Sequence, residues 1–288
     1  MTYMALRASG VSPTRPSATV YATWGLLATA MQALYTGGSP KLLSDNATIY
    51  VQGGQTFGVD GSFTNTVLSP FVSEGNNKNV LIQTDPGELA TPATILGRIA
   101  FNDVGANQNL EIKKLKLYGN FNSSGPYHGG SGGTFYTKIE DCFIAINNSD
   151  GSYVARCGSG WFKNCTIAVT APSGNLTRID FSPGGALLNC AVVVYSSSTV
   201  SLSNDTGNKN NTVFNYGAGS VSLAIPGNWT NTIVDNPNFV TAAITSPTEA
   251  AGSIIARNLH LTSGSSNCRD NADPATATAT DIEGKARG

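Results

Sequence analysis

Asp141-Cys142-Phe143-Ile144, Asn164-Cys165-Thr166-Ile167, Asn189-Cys190-Ala191-Val192, Asn211-Thr212-Val213-Phe214 and Asn231-Thr232-Ile233-Val234 are versions of one short phrase. Their second positions are separated by 23 residues (142 to 165), 25 (165 to 190), 22 (190 to 212) and 20 (212 to 232). A period of twenty-odd residues, with β-branched alternation and turn residues between the copies, predicts a solenoid of short parallel strands. Leu115-Lys116-Leu117 reads as one rung earlier, and Val80-Leu81-Ile82 as the rung before that.

Side chains alternate between the two faces of a strand. Leu115, Cys142, Cys165, Cys190, Thr212 and Thr232 are therefore expected to form one inward file, and Leu117, Ile144, Ile167, Val192, Phe214 and Val234 the next. Every rung then buries its face against its neighbour, which is the pattern of an all-β, single-stranded right-handed parallel β-helix. The predicted division is an N-terminal arm and capping helix over 1–45, the β-helix over 46–262 and a closing segment over 263–288.

Composition agrees with that class. Only 12% of the 288 residues are charged, against about 25% in typical soluble domains. Thirty-two glycines supply turns, and a 40% hydrophobic content suffices for a core. A net charge of −1 gives no electrostatic case for nucleic acid or for an anionic membrane as partner. The apolar run Gly25–Met31 is too short to span a bilayer and follows no basic segment of signal type, so synthesis without export is expected.

Three of the five cysteines occupy matching repeat positions. Neighbouring parallel strands lie about 4.8 Å apart, beyond the roughly 3.5–4.5 Å between Cβ atoms that a disulfide needs. A stacked file of free buried thiols is the expectation. Zinc would call for Cys-x-x-Cys pairs or histidines, and only two histidines are present. No metal or other cofactor is expected, and Cys157 and Cys268 have no assigned role.

Pro13 and Pro16 suit an extended arm. Thr23 is placed to cap a helix with apolar positions Leu26, Leu27, Ala30, Met31 and Leu34, ending at Gly37-Gly38. Such a helix is the expected lid over the first rung. The glycine-rich stretch from Phe121 to Thr134, which contains His128, reads as a solvated side loop. The polar residue before each file, at 141, 164, 189, 211 and 231, is expected at a rung corner, where Asn tolerates left-handed backbone and bonds to the residue stacked on it.

Beyond Asn231 the text changes. Asp235-Asn236-Pro237-Asn238-Phe239-Val240, Asn258-Leu259-His260-Leu261-Thr262-Ser263-Gly264-Ser265, Asp270-Asn271-Ala272-Asp273 and Thr280-Asp281-Ile282-Glu283-Gly284 with Arg287 resemble the closing segment of pectate-lyase-like right-handed parallel β-helix proteins. Asn236 stands where that family usually has Asp, and Asn267 and Arg269 where a Pro or apolar residue is usual. The opening, Leu6-Arg7-Ala8-Ser9-Gly10 followed by Tyr21-Ala22-Thr23-Trp24-Gly25-Leu26-Leu27-Ala28, resembles the start of β-helix proteins of tailed bacteriophages.

That resemblance implies a structural virion protein at the particle surface. It would be either a capsid decoration (cement) protein or a short tail-associated spike, with major capsid or tail proteins as neighbours. Catalytic members of the superfamily carry clustered acids, and a glycosidase needs two carboxylates on one outer face. The outward positions here are Phe143, Ala145, Thr166, Ala168, Ala191, Val193, Val213 and Ile233, none of which can serve as acid, base or nucleophile. Glu140 and Asp141 are adjacent, but alternation sends them to opposite faces. The expectation is no catalytic residue and no enzyme. The alternative is a polysaccharide depolymerase or glycan-binding adhesin with a host surface glycan as ligand. The apolar outer stripe of Phe143, Ala168, Ala191, Val193, Val213 and Ile233 predicts a homotrimer that buries it, dispersed to folded monomers by Val193→Asp.

Overall fold

The computed structural model describes residues 1–58 apart from 9, 16 and 37–41, then 78–96, 99–100, 108–121, 127–128, 135–148, 161–170, 178–180, 186–203, 207–224, 228–237, 239, 244–246, 249, 253–254 and 256–257. Within them a corner residue divides each later turn of the chain. Lys114, Asp141, Asn164, Asn189, Asn210 and Asn231 have φ of 52, 52, 54, 53, 56 and 51°, the left-handed region that Asn and Asp enter more readily than most residues.

Before each corner lies a strand of a ten-stranded sheet, and after it a strand of an eight-stranded sheet. The Cys165 turn runs Trp161–Lys163, corner Asn164, Thr166–Thr170, and then Arg178–Asp180 in a third, three-stranded sheet with Val200–Ser203 and Val221–Leu223. Each of these strands pairs parallel with its counterpart one turn on, so the chain coils while the three sheets grow together. Only Tyr35–Thr36 with Leu42–Leu43 pairs antiparallel among the described strands.

Register is kept residue by residue. In the ten-stranded sheet Met4, Ile49, Ile82, Ile112, Ile139, Phe162 and Leu187 stack in one file, all buried, and Asn208 and Trp229 continue it. In the eight-stranded sheet Ile95, Leu117, Ile144, Ile167, Val192 and Val213 do the same. Burying each such side chain is worth about 1.5–3 kcal/mol. The file ends at Val234, which is 52% exposed because no described strand follows it.

The rung assignments need three corrections. Val80-Leu81-Ile82 belongs to the ten-stranded sheet, paired with Ala47–Ile49 and Leu110–Ile112. The rung before Leu115 is Ala93–Leu96. At the fourth copy the corner is Asn210, so the phrase is Asn210-Asn211-Thr212-Val213, one residue earlier than its lettering suggests. Val213 consequently points into the core and Phe214 out of it, the reverse of the expected faces.

The first 45 residues are less of an arm than expected. Thr2–Leu6 is a strand lying between Thr19–Tyr21 and Ala47–Val51. The helix, Trp24–Ala33, starts at the expected cap, with Leu26 N donating to Thr23 Oγ1 at 3.3 Å. Trp24, Leu27 and Met31 close the core, whereas Leu26 is 57% exposed. It ends before Gly37-Gly38, which lie outside the described residues. In the glycine-rich stretch Tyr127–His128 pairs with Ile99–Ala100, so this part joins a small lateral sheet and is not wholly loop. Cys157, Cys268, His260 and the closing segment over 263–288 also lie outside the described residues.

Candidate functional site

The corners form the expected polar ladder. Lys114 Nζ lies 3.3 Å from Asp141 Oδ2, Asn189 Nδ2 donates to Asn164 Oδ1 at 3.3 Å, and Asn231 Nδ2 donates to Asn210 Oδ1 at 3.2 Å. Each corner amide from 114 to 210 also donates to the ten-stranded-sheet strand one turn on, as Asn164 N does to Leu188 O at 2.9 Å. The ladder fixes the vertical alignment of the rungs, and with it the residue that follows each corner.

Those next residues are Leu115, Cys142, Cys165, Cys190, Asn211 and Thr232. The structure thus brings Cys142, Cys165, Cys190 and Thr232 into one file, and it replaces the expected Thr212 by Asn211. All three thiols are free and 2% exposed. Burial pushes the Cys165 and Cys190 thiols well above the ordinary range, with the neighbouring thiol a further cause for each. They therefore stay protonated, and the thiolate is the reactive form. Native protein should leave the three unmodified by thiol reagents, with full labelling after denaturation. Cys165→Ser should cost about 1–3 kcal/mol in a denaturant titration, because it sets a hydroxyl in an apolar file. Rapid native labelling of all three would contradict the register.

Where the thiols stop, asparagine takes over. Asn211 accepts from Cys190 N at 2.8 Å and donates to Leu187 O at 3.0 Å, and Asn208 accepts from Leu187 N at 3.0 Å. Asn215 holds the next bend, accepting from Ser196 N and Gly217 N at 2.9 Å and donating to Ser196 O at 3.0 Å. A Cβ at Gly217 would lie 2.1 Å from Ser196 O, so the backbones approach there as only glycine permits. These amides stand in for backbone pairing. The Asn and Ser content announced turns, but nothing in it marked these as interior residues.

Charged residues run up the outward face of the ten-stranded sheet. Glu111 contacts Lys138 at 3.3 Å and Lys113 at 3.2 Å, and Glu140 contacts Lys113 at 3.2 Å and Lys163 at 3.4 Å. Alternate signs in register make a charge ladder, which sequence reading missed because its partners on neighbouring rungs are 23 to 27 residues apart (140 to 163, 111 to 138). Glu140 and Asp141 do diverge, as alternation and the corner require, and each carboxylate meets a lysine. Among the described residues no group of three or more His, Cys, Asp or Glu is placed to hold a metal.

The expected oligomer face is buried within the chain. Phe143, Ala145, Ala168 and Val193 form one cluster with Phe239, Ile244 and Ile254, and Ala191 and Phe214 pack against it. Phe239, Ile244 and Ile254, three described residues beyond Val234, thus lie as a strap over the outside of the eight-stranded sheet. Thr170 Oγ1 donates to Glu249 O at 3.1 Å. The Glu249 carboxylate meets the Arg257 guanidinium and accepts from Thr245 N at 2.8 Å. Phe143, Ala168 and Val193 are covered by this strap, Val213 lies in the core, and Ile233 sits half-buried on the last rung. The stripe therefore does not call for a second copy of the chain. Its covering was not legible, since Phe239, Ile244 and Ile254 follow no period.

No family model, curated protein or solved structure matches this chain.

Proposed function

We propose that the chain is a non-enzymatic structural protein of a bacteriophage particle, a capsid decoration protein or a short tail-associated spike. Its coils would wind as a right-handed parallel β-helix, the hand that parallel crossovers adopt almost without exception. The reading of the particle rests on the two resemblances at the chain's opening and closing. One observation carries the non-enzymatic part: Asp85, Glu88, Glu111, Glu140, Asp141 and Glu249 are each in an ion pair. A general acid needs a carboxyl held protonated by an apolar site, and its partner needs a free carboxylate across a groove. These six paired carboxylates, among the described residues, supply neither.

The purified chain, incubated with host surface polysaccharide with and without calcium, should release no oligosaccharide. Release that is abolished by changing one or two carboxylates would overturn the proposal in favour of a depolymerase. Mass spectrometry of purified virions separates the two structural roles. Hundreds of copies per particle place the chain on the capsid, a handful place it on the tail, and none refutes the virion reading.

A further inference from the structure

We infer that the file of Cys142, Cys165 and Cys190 is a two-coordinate binding site for a soft monovalent cation, of which Cu(I) is the biological member. The three thiols make the same contacts in turn. Each sulfur lies against the carbonyl two residues before it: Cys142 Sγ to Glu140 O and Cys165 Sγ to Lys163 O at 3.3 Å, and Cys190 Sγ to Leu188 O at 3.4 Å. Each also touches a carbonyl of the preceding rung, Ile112 O at 3.6 Å, Ile139 O at 3.5 Å and Phe162 O at 3.4 Å respectively. Identical contacts mean identical side-chain positions, so successive sulfurs are related by the rung spacing of about 4.8 Å.

That spacing does not suit a disulfide, whose sulfurs must close to about 2.0 Å. It also does not suit zinc, because three sulfurs in a line enclose no tetrahedron. It comes close to a linear sulfur–metal–sulfur unit: metal–thiolate bonds near the roughly 2.3 Å of zinc, set in line, span about 4.6 Å. An ion midway between Cys142 and Cys165, or between Cys165 and Cys190, needs no movement of the backbone. Soft thiolate donors select Cu(I) among biological cations.

Charge balance fits the dry interior. A monovalent ion bound between two thiols displaces one proton to solvent and leaves one thiolate, one thiol and the cation, with no net charge. A second ion in the other gap displaces a second proton, giving two thiolates, one thiol and two cations, again neutral. Neutrality matters because an uncompensated charge is costly in an apolar file. Leu115 closes the file on one side, and on the other Asn211 has its amide oxygen and nitrogen engaged by Cys190 N and Leu187 O. The thiols are thus the soft donors of the file, and Cys165 is shared by both gaps.

The sharing gives the test. The full chain carrying Cys157→Ala and Cys268→Ala is loaded under reducing, anaerobic conditions with Cu(I) supplied as its acetonitrile complex, and separately with Ag(I), which is inert to oxidation. Each ion is added to folded protein and, in a parallel sample, during refolding, so that slow access is not mistaken for lack of a site. Bound ions are counted by native mass spectrometry, and folding is checked by circular dichroism. The expected counts are two ions for this chain, one after a further Cys142→Ala or Cys190→Ala, and none after Cys165→Ala. X-ray absorption should show two sulfur neighbours per copper. Equal counts for the central and terminal variants, no uptake in either sample, or a coordination number of three or four would overturn the site. If Cys165→Ala fails to fold, the terminal variants decide alone: an unchanged count refutes the proposal.

Discussion

Val193→Asp is expected to destabilise the protein by on the order of 4–5 kcal/mol, the range reached when a charge is buried without a partner. Val193 is fully buried and packs in one apolar cluster with Phe143, Ala145, Ala168, Phe239, Ile244 and Ile254. The new carboxylate would face Phe239, Ile244 and Ile254, and the strap must lift for it to reach water. Lifting the strap uncovers Phe143, Ala145 and Ala168 together, so the variant should bind an apolar dye and aggregate on warming. Read from sequence alone, the same substitution promised folded monomers released from a trimer. Lys116→Ala is the control, because Lys116 stands on the same face one rung before Phe143 and is not covered to the same degree. It should change stability by no more than about 0.5 kcal/mol. A soluble Val193→Asp protein with an unchanged urea midpoint would show that the strap does not cover this face.

The difference between the two readings of Val193 shows where sequence stops being informative. A strand repeat declares its period and its alternation, because both follow from the geometry of one strand on the next. Five turns, four of their corner residues (Asp141, Asn164, Asn189 and Asn231) and the cysteine file were legible on that basis. Even there, Asn210-Asn211 offered two candidates for one corner, and choosing Asn211 turned Val213 and Phe214 to the wrong faces. A one-residue slip does this to every side chain that follows in the strand. Alternation also says which face points outward but is silent on what lies over it. Among the described residues the strap meets the sheet through three scattered apolar side chains, Phe239, Ile244 and Ile254, so no spacing identifies it. Asn211 and Asn215 are hidden for a related reason: a buried amide and a turn amide have the same letter, and only the bonds to Cys190, Leu187 and Ser196 distinguish them.

The N-terminal turn holds the second large effect. Arg7 is 1% exposed and Asp85 fully buried, with Arg7 Nη1 donating to Asp85 Oδ2 at 2.8 Å and Nη2 meeting the Glu88 carboxylate. Asp85 also accepts from Thr14 N and Gly87 N at 3.2 Å and from the Thr14 hydroxyl, while Glu88 accepts from Gly53 N at 2.8 Å. This network ties Arg7 and Thr14 to the turn after the strand Asn79–Thr84, roughly seventy residues along the chain, and so seats the first rungs under the capping helix. Arg7→Ala should lower stability by about 3–5 kcal/mol, since it strands a buried carboxylate. The double variant Arg7→Met with Asp85→Asn removes the two fully buried charges, leaving only the partly exposed Glu88 carboxylate, and should recover a large part of that loss, because the cost lies in the uncompensated buried charge and less in the missing contact. Arg7 Nε has no hydrogen-bond partner among the described residues, so the native pair is itself imperfectly satisfied there, which further favours the double variant. Thermal unfolding of the four proteins in the cycle measures the coupling. If the double variant is as unstable as the sum of its single changes, the pair does not act as a unit and the seat of the first rungs must be sought in the apolar contacts of Trp24, Leu27 and Met31.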